Sequence, residues 1–539
     1  MFIHIECREN ENAVIAWRRA FQQARAEKAE GVFFLAGVYH FYPEGTSEKY
    51  CFFSNNDSGI KKIVFLLEDL TDFSLTGDWA EFIFHGRLSP LAAYRCRNLS
   101  LRGFSIDFAD SFVSDAEITA VGEETTDLLI RDPRRVENGR LRFFDDVYDT
   151  VPEALRLLRF DPVRREPAAD AVDQICPQQG IIELDKDRVR IPVRAGKPGD
   201  ILAVKHQLRY NPAMVFDSSE QIGIQDVGVH HSGGMACLLQ SCTNIRLDGF
   251  RVTPSPRYKR LVSASDDAIH MVECRSSITI ENCLLENQWD DAVNVHGVYR
   301  LYRRRNAGSE PFEFLETRHY QQMGIEPLRP GDVLEFIKTD TLKAFHTAEV
   351  RTVRRLNQQM SRIEFAEPLS LSVTDGDAVR NLTTAQSTLL IRNSIFRRNK
   401  PRGILVSGIE KAVIEKNYFH TAGAAVYISG DANFWFEAGP VGEVEINGNT
   451  FEYCNFMATA TGNTTIAIVP EIPKLEPGFH YHGSVYIHHN RFITVNPNIV
   501  HAVSTKYLDF QNNEIIIGTE QKTNNHAVTE VNCGEIIIK

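Results

Sequence analysis

The chain has 539 residues, 59 Lys and Arg against 71 Asp and Glu, and a formal charge of −12. This is the composition of an ordinary soluble globular protein, long enough for two to four domains or one long repeat domain. The acidic balance argues against a dedicated nucleic-acid binder and suits a neutral ligand, and no apolar run reaches the 18 residues of a membrane span.

The first residues, Met1-Phe-Ile-His-Ile-Glu-Cys-Arg, lack a basic segment followed by an apolar run. A cytoplasmic chain is therefore expected as the sequence stands, or a secreted one if a signal has been removed. Ten Cys are scattered without CxxC pairs, which indicates neither zinc nor a disulfide framework and reads as small buried hydrophobes. From Glu11 to Ala29, Ala13, Ala16, Trp17, Ala20 and Ala24 recur at helical spacing, and Asn10 or Asn12 can cap the start. The helix runs into Gly31-Val-Phe-Phe-Leu-Ala-Gly-Val-Tyr-His-Phe, two strands around a Gly turn. A helix and hairpin of this kind would close the open edge of a solenoid.

Beyond the cap an apolar-x-apolar unit followed by Asn or Gly recurs at Leu99/Leu101, Ile245/Leu247, Ile278/Ile280, Leu389/Ile391, Ala412/Ile414, Val444/Ile446, Val485/Ile487 and Leu508/Phe510. Intervals of 23 residues between neighbouring units predict the coils of a β-solenoid. Two gaps, one of 146 residues after Leu101 and one of 111 after Ile280, are too long for one coil, and each contains Pro-Gly-Asp-[Ile/Val]-Leu. The expected organisation is a cap and first coils over 1–102, an inserted β module over 103–235, coils over 236–297, a second module over 298–385 and C-terminal coils over 386–539. Asn393, Asn417, Asn449, Asn490 and Asn512 are expected to stack at coil corners. Thr461 to Gly483 reads as a long loop.

The chemistry concentrates in Ser265-Asp-Asp-Ala-Ile-His270 and Trp289-Asp-Asp-Ala-Val-Asn-Val-His-Gly297, whose double Asp motifs are 24 residues apart. Aligning Val295-His-Gly with Val406-Ser-Gly and Ile428-Ser-Gly puts Asp267, Asp291, Arg402 and Ala424 in one column, at about 4.8 Å per step. Stacked carboxylates repel unless a cation, a shared proton or a water lies between them. One Asp per coil capping a turn, or a calcium site, are the competing readings.

These residues resemble the right-handed parallel β-helix glycosidases, among them the polygalacturonases. The closer resemblance, over nearly the whole chain, is to glycoside hydrolase family 110, exo-acting α-1,3-galactosidases whose β-helix carries two inserted barrels. It rests on the Leu-Ala-Gly-Val-Tyr cap strand, the repeats, and Asp-Ala-Ile followed by Asp-Asp-Ala-Val-Asn-x-x-Gly. The resemblance implies release of terminal α-1,3-linked galactose, as in blood group B and related glycans, with inversion and without metal or other cofactor. It makes Asp290 the general acid and Asp267 with Asp291 the pair that activates water.

The two neighbouring carboxylates are expected to raise the pKa of Asp290, and Asp290 and Asp291 to splay apart. Splaying would open the roughly 6.5–9.5 Å that a water requires. Asp266 is expected to point inward or cap its turn. Arg402 grips a sugar hydroxyl or serves as counter-ion to the Asp stack. Asn294 and His296 share a strand face and can bond hydroxyls, while Trp435 is preferred over Trp289 as a sugar platform. A galactose-terminated glycan is the expected partner, self-association is left open, and neither nucleic acid nor membrane is expected. A uronate-directed hydrolase or lyase and a non-catalytic glycan-binding β-helix are the alternatives.

Overall fold

A computed structural model describes residues 1–6, 8, 11–144, 153–206, 209–307, 310–318, 322–323, 325, 328–457, 464–518, 520–522 and 527–539. Among the described residues, most strands belong to two long parallel sheets, one of 13 strands and one of 23 whose coils contribute two strands each across a bend. Successive turns of chain stack in register, forming a right-handed parallel β-helix. Down its interior Leu101, Ile224, Leu247, Ile280, Ile391, Ile414, Ile446, Ile487 and Phe510 align as neighbours. Nearby, Phe396, Phe419, Phe451 and Phe492 stack with ring centroids 5.0, 4.9 and 4.8 Å apart. Each of these rings is fully buried, so every coil adds one apolar layer to the core.

The first coil is closed by the helix Ala13–Glu27, whose Asn12 side chain accepts from the Val14 N–H at 3.1 Å. That bond satisfies one of the amides a helix start leaves open. Trp17 stacks on Phe21 and meets Phe65 edge-on, covering the end of the core.

The first interruption is shorter than expected. Met214–Asp217 already pairs with Leu91–Tyr94 and with Cys237–Gln240, and Ile222–Gln225 lies between Leu99–Arg102 and Ile245–Asp248. A β-helix coil therefore occupies residues that the sequence assigns to the inserted module. Its corner residue in the left-handed region is Asp226 (φ 51°) and Val227 follows, so the Asn or Gly that marks other coils is missing.

The two insertions share one strand arrangement. In the first, Ile201–Lys205 lies between Val113–Val121 and Arg156–Asp161; in the second, Val333–Ile337 lies between Ala344–Arg355 and Ala378–Asn381. Gly199 N–H donates to the Ile118 carbonyl at 2.9 Å, and Gly331 N–H to Val350 at 2.8 Å. Arg159 and Asn381 each donate to Oδ2 of the turn aspartate, Asp200 or Asp332, at 2.9 Å. The partner strand precedes the Pro-Gly-Asp turn in the first module and follows it in the second, so the two are circular permutations of one design. The first forms an eight-stranded antiparallel sheet, and the second closes into a six-stranded barrel.

C-terminal to the barrel the corners carry a ladder. Asn417 N–H donates to Asn449 Oδ1, Asn449 N–H to Asn490 Oδ1 and Asn490 N–H to Asn513 Oδ1, each at 2.9 Å. Asn513 rather than Asn512 is the rung, and Ser394 rather than Asn393 begins the column. Asn393 and Asn512 sit one residue earlier, where the chain needs positive φ (51° and 55°).

Candidate active site

The strand Ile269–Val272 pairs with Val293–Val298 so that Ile269 faces Val293, and Val293 in turn faces Ile404. Two residues back along each strand this register stacks Asp267, Asp291 and Arg402. Backbone bonds hold the column, with Ala268 N–H donating to Asp291 O at 2.9 Å and Ala292 N–H to Arg402 O at 3.1 Å. A Cβ on Gly423 would lie 1.6 Å from the Pro401 carbonyl oxygen, so only glycine lets the next coil close against the segment that carries Arg402.

The column forms the floor of a cavity of about 520 Å³. One carboxylate oxygen from each of Asp267, Asp290 and Asp291 lies within 4.8 Å of the others. The splayed gap expected between Asp290 and Asp291 is therefore not present, because the register and the cations described below draw the carboxylates together. Asp290 is the one open to the cavity, with 24% of its side chain exposed against 4% for Asp267 and 1% for Asp291.

Each carboxylate is held differently. Asp267 Oδ1 accepts from the Asp291 N–H at 3.1 Å, and its Oδ2 lies 2.7 Å from His270 Nδ1. Asp291 Oδ1 accepts from Arg402 Nε at 2.7 Å, while its buried Oδ2 has no partner. Arg209 Nη2 donates to Asp290 Oδ2 at 3.2 Å. Asp266 neither points into the helix nor caps a turn: it is buried in the cavity wall, bonded to Lys205 Nζ at 2.9 Å and Arg209 Nε at 3.2 Å.

This arrangement reverses the expected order of acidity. Burial, reinforced by the charge of Asp290, pushes Asp267 well above the usual carboxylate range. Burial likewise raises Asp291, against the pull of Arg402. Burial would raise Asp290 too, but Arg209, Arg402, Lys400 and Lys205 outweigh it and hold that carboxyl below its ordinary value. The inner pair is therefore more readily protonated than Asp290. Three carboxylates this close would also suit a cation, yet the guanidiniums of Arg209 and Arg402 and the Lys205 ammonium already supply the compensating charge.

Of the remaining candidates, Asn294 lines the cavity with a buried, unpartnered Oδ1, an acceptor suited to a hydroxyl. Trp435 also lines it, 38% exposed, on a loop fixed by Asp431 accepting from the N–H groups of Asn433, Phe434 and Trp435. Trp289 is buried against Leu261, Val262 and Met457 and shows the cavity only part of its ring. His296 is not in the cavity wall. It lies behind the wall, with Nδ1 2.7 Å from the Gly297 carbonyl oxygen and Nε2 3.0 Å from His270 Nε2.

Sequence reasoning missed Lys205, Arg209, Asn55 and Glu437, all of which line the cavity. Lys205 ends the module strand Ile201–Lys205 and Arg209 comes just after it, 61 and 57 residues from Asp266. Glu437 arrives on a short strand, Glu437–Ala438, that pairs antiparallel with Gly297–Val298. Nothing periodic marks these positions. His270, by contrast, stands in the quoted motif, and its i+3 spacing from Asp267 was a readable signal.

Residues 315–379 match the family model described as GLAA-B beta-barrel domain II, which falls within the closed barrel. The chain is 30% identical to "Alpha-1,3-galactosidase A" of Shewanella woodyi over 95% of this chain and 84% of that one. It is 32% identical to "Alpha-1,3-galactosidase B" of Phocaeicola vulgatus over 96% and 89%. Among solved structures, the family 28 exopolygalacturonase of Yersinia enterocolitica aligns with a TM-score of 0.42 at 10% identity, covering 99% of this chain and 78% of that one. With such identity sustained over most of the length of these relatives, the chain belongs to the family of the α-1,3-galactosidases.

Proposed function

We propose that the chain is an exo-acting glycoside hydrolase that removes terminal α-1,3-linked galactose from glycans of the blood group B or linear α-galactosyl type, with inversion. The observation that carries this reading is the cluster of Asp267, Asp290 and Asp291 on the floor of a 520 Å³ cavity, in a chain of this family. A cavity of that size holds one or two sugar rings. Its charge also suits a neutral sugar. Of its five cationic residues, Lys205, Arg209, Lys400 and Arg402 are bonded to Asp266, Asp290, Asp173 and Asp291. That pairing weighs against a uronate substrate, whose carboxylates would need cations without acidic partners.

In this reading Asp290, the carboxylate open to the cavity, delivers a proton to the leaving oxygen. Asp291 Oδ2, buried and unpartnered, takes a proton from a water that attacks the anomeric carbon. The short carboxylate separation by itself resembles the retaining class, about 5–5.5 Å. Inversion is favoured because both inner carboxylates are tied down: Asp267 by a backbone N–H and His270, Asp291 by Arg402. Groups held in this way reach the sugar through a water. Asn294 would accept from a ring hydroxyl, and Trp435 would stack on an apolar sugar face.

Incubation with an aryl α-galactoside, α-1,3-galactobiose and polygalacturonate tests the substrate class, with galactose release from the first two expected. Proton NMR of the earliest product should show β-galactose. If α-galactose forms first, one of the inner aspartates is a nucleophile.

A further inference from the structure

Behind the cavity wall a chain of hydrogen bonds runs from Asp267 through two buried imidazoles. Asp267 Oδ2 lies 2.7 Å from His270 Nδ1, His270 Nε2 lies 3.0 Å from His296 Nε2, and His296 Nδ1 lies 2.7 Å from the Gly297 carbonyl oxygen. Counting protons along it is decisive. A carbonyl oxygen only accepts, so His296 Nδ1 carries hydrogen. The contact between the two Nε2 atoms needs one proton, and the contact to Asp267 needs another. Three bonds require three protons, whereas two neutral imidazoles supply two. Asp267, His270 and His296 therefore share one proton more than a carboxylate and two neutral imidazoles would hold.

We infer that this Asp267–His270–His296 chain stores the proton that is delivered to the leaving oxygen, resting on Asp267, with His270 as the positioning residue that holds it there. The inference rests on the hydrolase reading above. Both imidazoles are fully buried, and burial lowers His270 to about 4 and His296 below its ordinary value, so both hold a proton less readily than a free imidazole. Facing groups do not reverse this. His270 sees Asp266, Asp290, Glu437 and Arg209, and His296 sees Glu437 at 3.9 Å and Glu273. Glu273 is itself bonded to the Val298 N–H and Arg300. Asn55 Nδ2 approaches His270 Nε2 only to 3.5 Å, too far to displace the 3.0 Å contact with His296.

The step balances. The stored proton passes from Asp267 to Asp290, within 4.8 Å, and from Asp290 to the leaving oxygen as the glycosidic bond breaks. The attacking water forms the new bond to the anomeric carbon and gives its proton to Asp291, from which Asp267 is refilled. Substrate and water become sugar and alcohol, and the chain returns to its starting state.

Two measurements on the full chain test this. The first needs no substrate: at neutral pH the infrared spectrum should contain a protonated-carboxyl C=O band that is absent from Asp267→Asn and shifted to higher frequency in His270→Phe. If no such band depends on Asp267, the storage proposal is overturned even if the protein is an active galactosidase. The second is the pH profile of aryl α-galactoside hydrolysis. His270→Phe should lower kcat about tenfold with KM within about twofold, and move the alkaline limb about one pH unit downward, because protonated Asp267 then loses the imidazole that accepts its hydrogen bond. His296→Phe should move the limb the same way by less. An unmoved limb in correctly folded His270→Phe, judged by an unchanged melting temperature, overturns the role of His270. A wild type that cleaves no galactoside while showing the Asp267 band would refute the function and leave the proton store standing.

Discussion

Two vertical stacks of polar side chains run along this β-helix, the asparagine ladder of the C-terminal corners and the aspartate column on the cavity floor. They differ by one atom type per rung. Each ladder amide accepts from the rung before it and donates from Nδ2, as Asn449 does to the Ile414 carbonyl at 2.8 Å, so the stack closes its own hydrogen bonds. A carboxylate only accepts. An aspartate column must therefore import cations and protons, and it draws in Arg402, Arg209, Lys205 and His270 from three separate segments. The ladder is self-sufficient and structural. The column depends on what surrounds it, and that dependence gives it chemistry.

The largest effect should come from the column. Asp290→Asn should reduce kcat about 10²- to 10⁴-fold with the melting temperature unchanged, because Asp290 faces the cavity and its isostere keeps the Arg209 contact. Full activity in the folded variant would remove Asp290 from the mechanism.

Next in size is the column's dependence on imported charge. Arg402→Leu strips the guanidinium from buried Asp291, and removing one partner of a buried pair costs about 3–5 kcal/mol. Denaturant unfolding should show a loss of that order. The double variant Asp291→Asn with Arg402→Leu should recover most of it while staying inactive. No recovery would mean that Arg402 stabilises the fold through its packing on Tyr427 instead.

Converting the ladder into a column tests the comparison from the other side. Asn449→Asp keeps the shape but removes the donors to Asn490 Oδ1 and the Ile414 carbonyl, at about 1–3 kcal/mol for buried groups left unpaired. A carboxyl buried there without a cation would have its folded pKa raised. Its stability contribution is complete below the unfolded value and is lost as pH rises through the folded one. The variant should therefore be nearly as stable as wild type near pH 4 and clearly weaker at pH 8, a dependence that differential scanning calorimetry would detect. Activity per folded molecule should not change.

The same contrast explains what the sequence could reveal. Asp267, Asp291 and Arg402 were legible as one column because parallel coils repeat their register, and one aligned Gly fixes every position six residues before it. The coil at Met214–Val229 was not legible, since Asp226 and Val227 stand where the other coils place an Asn or Gly. Asn512 was read as a rung in place of Asn513 because the left-handed position and the ladder position are adjacent and both favour Asn. The cations escaped for a different reason. Lys205 and Arg209 emerge from a strand end that reaches the column only through tertiary packing, and no spacing encodes that. The acidity order depends on these cations, so no spacing encodes it either.

The smallest expected effect tests the resting proton. Asp267 has a raised pKa in the folded chain, so its contribution to stability is fully present below the unfolded pKa and is lost as pH rises through the folded value. Asparagine at this position imitates the protonated acid: Nδ2 can donate to His270 Nδ1 as the carboxyl O–H does, and Oδ1 can still accept from the Asp291 N–H. It cannot ionise. Asp267→Asn should therefore match wild type in melting temperature near pH 5 and exceed it slightly at pH 9, although its hydrolysis is impaired. A variant that is weaker than wild type at every pH would mean that Asp267 rests as a carboxylate, with the chain's extra proton on an imidazole.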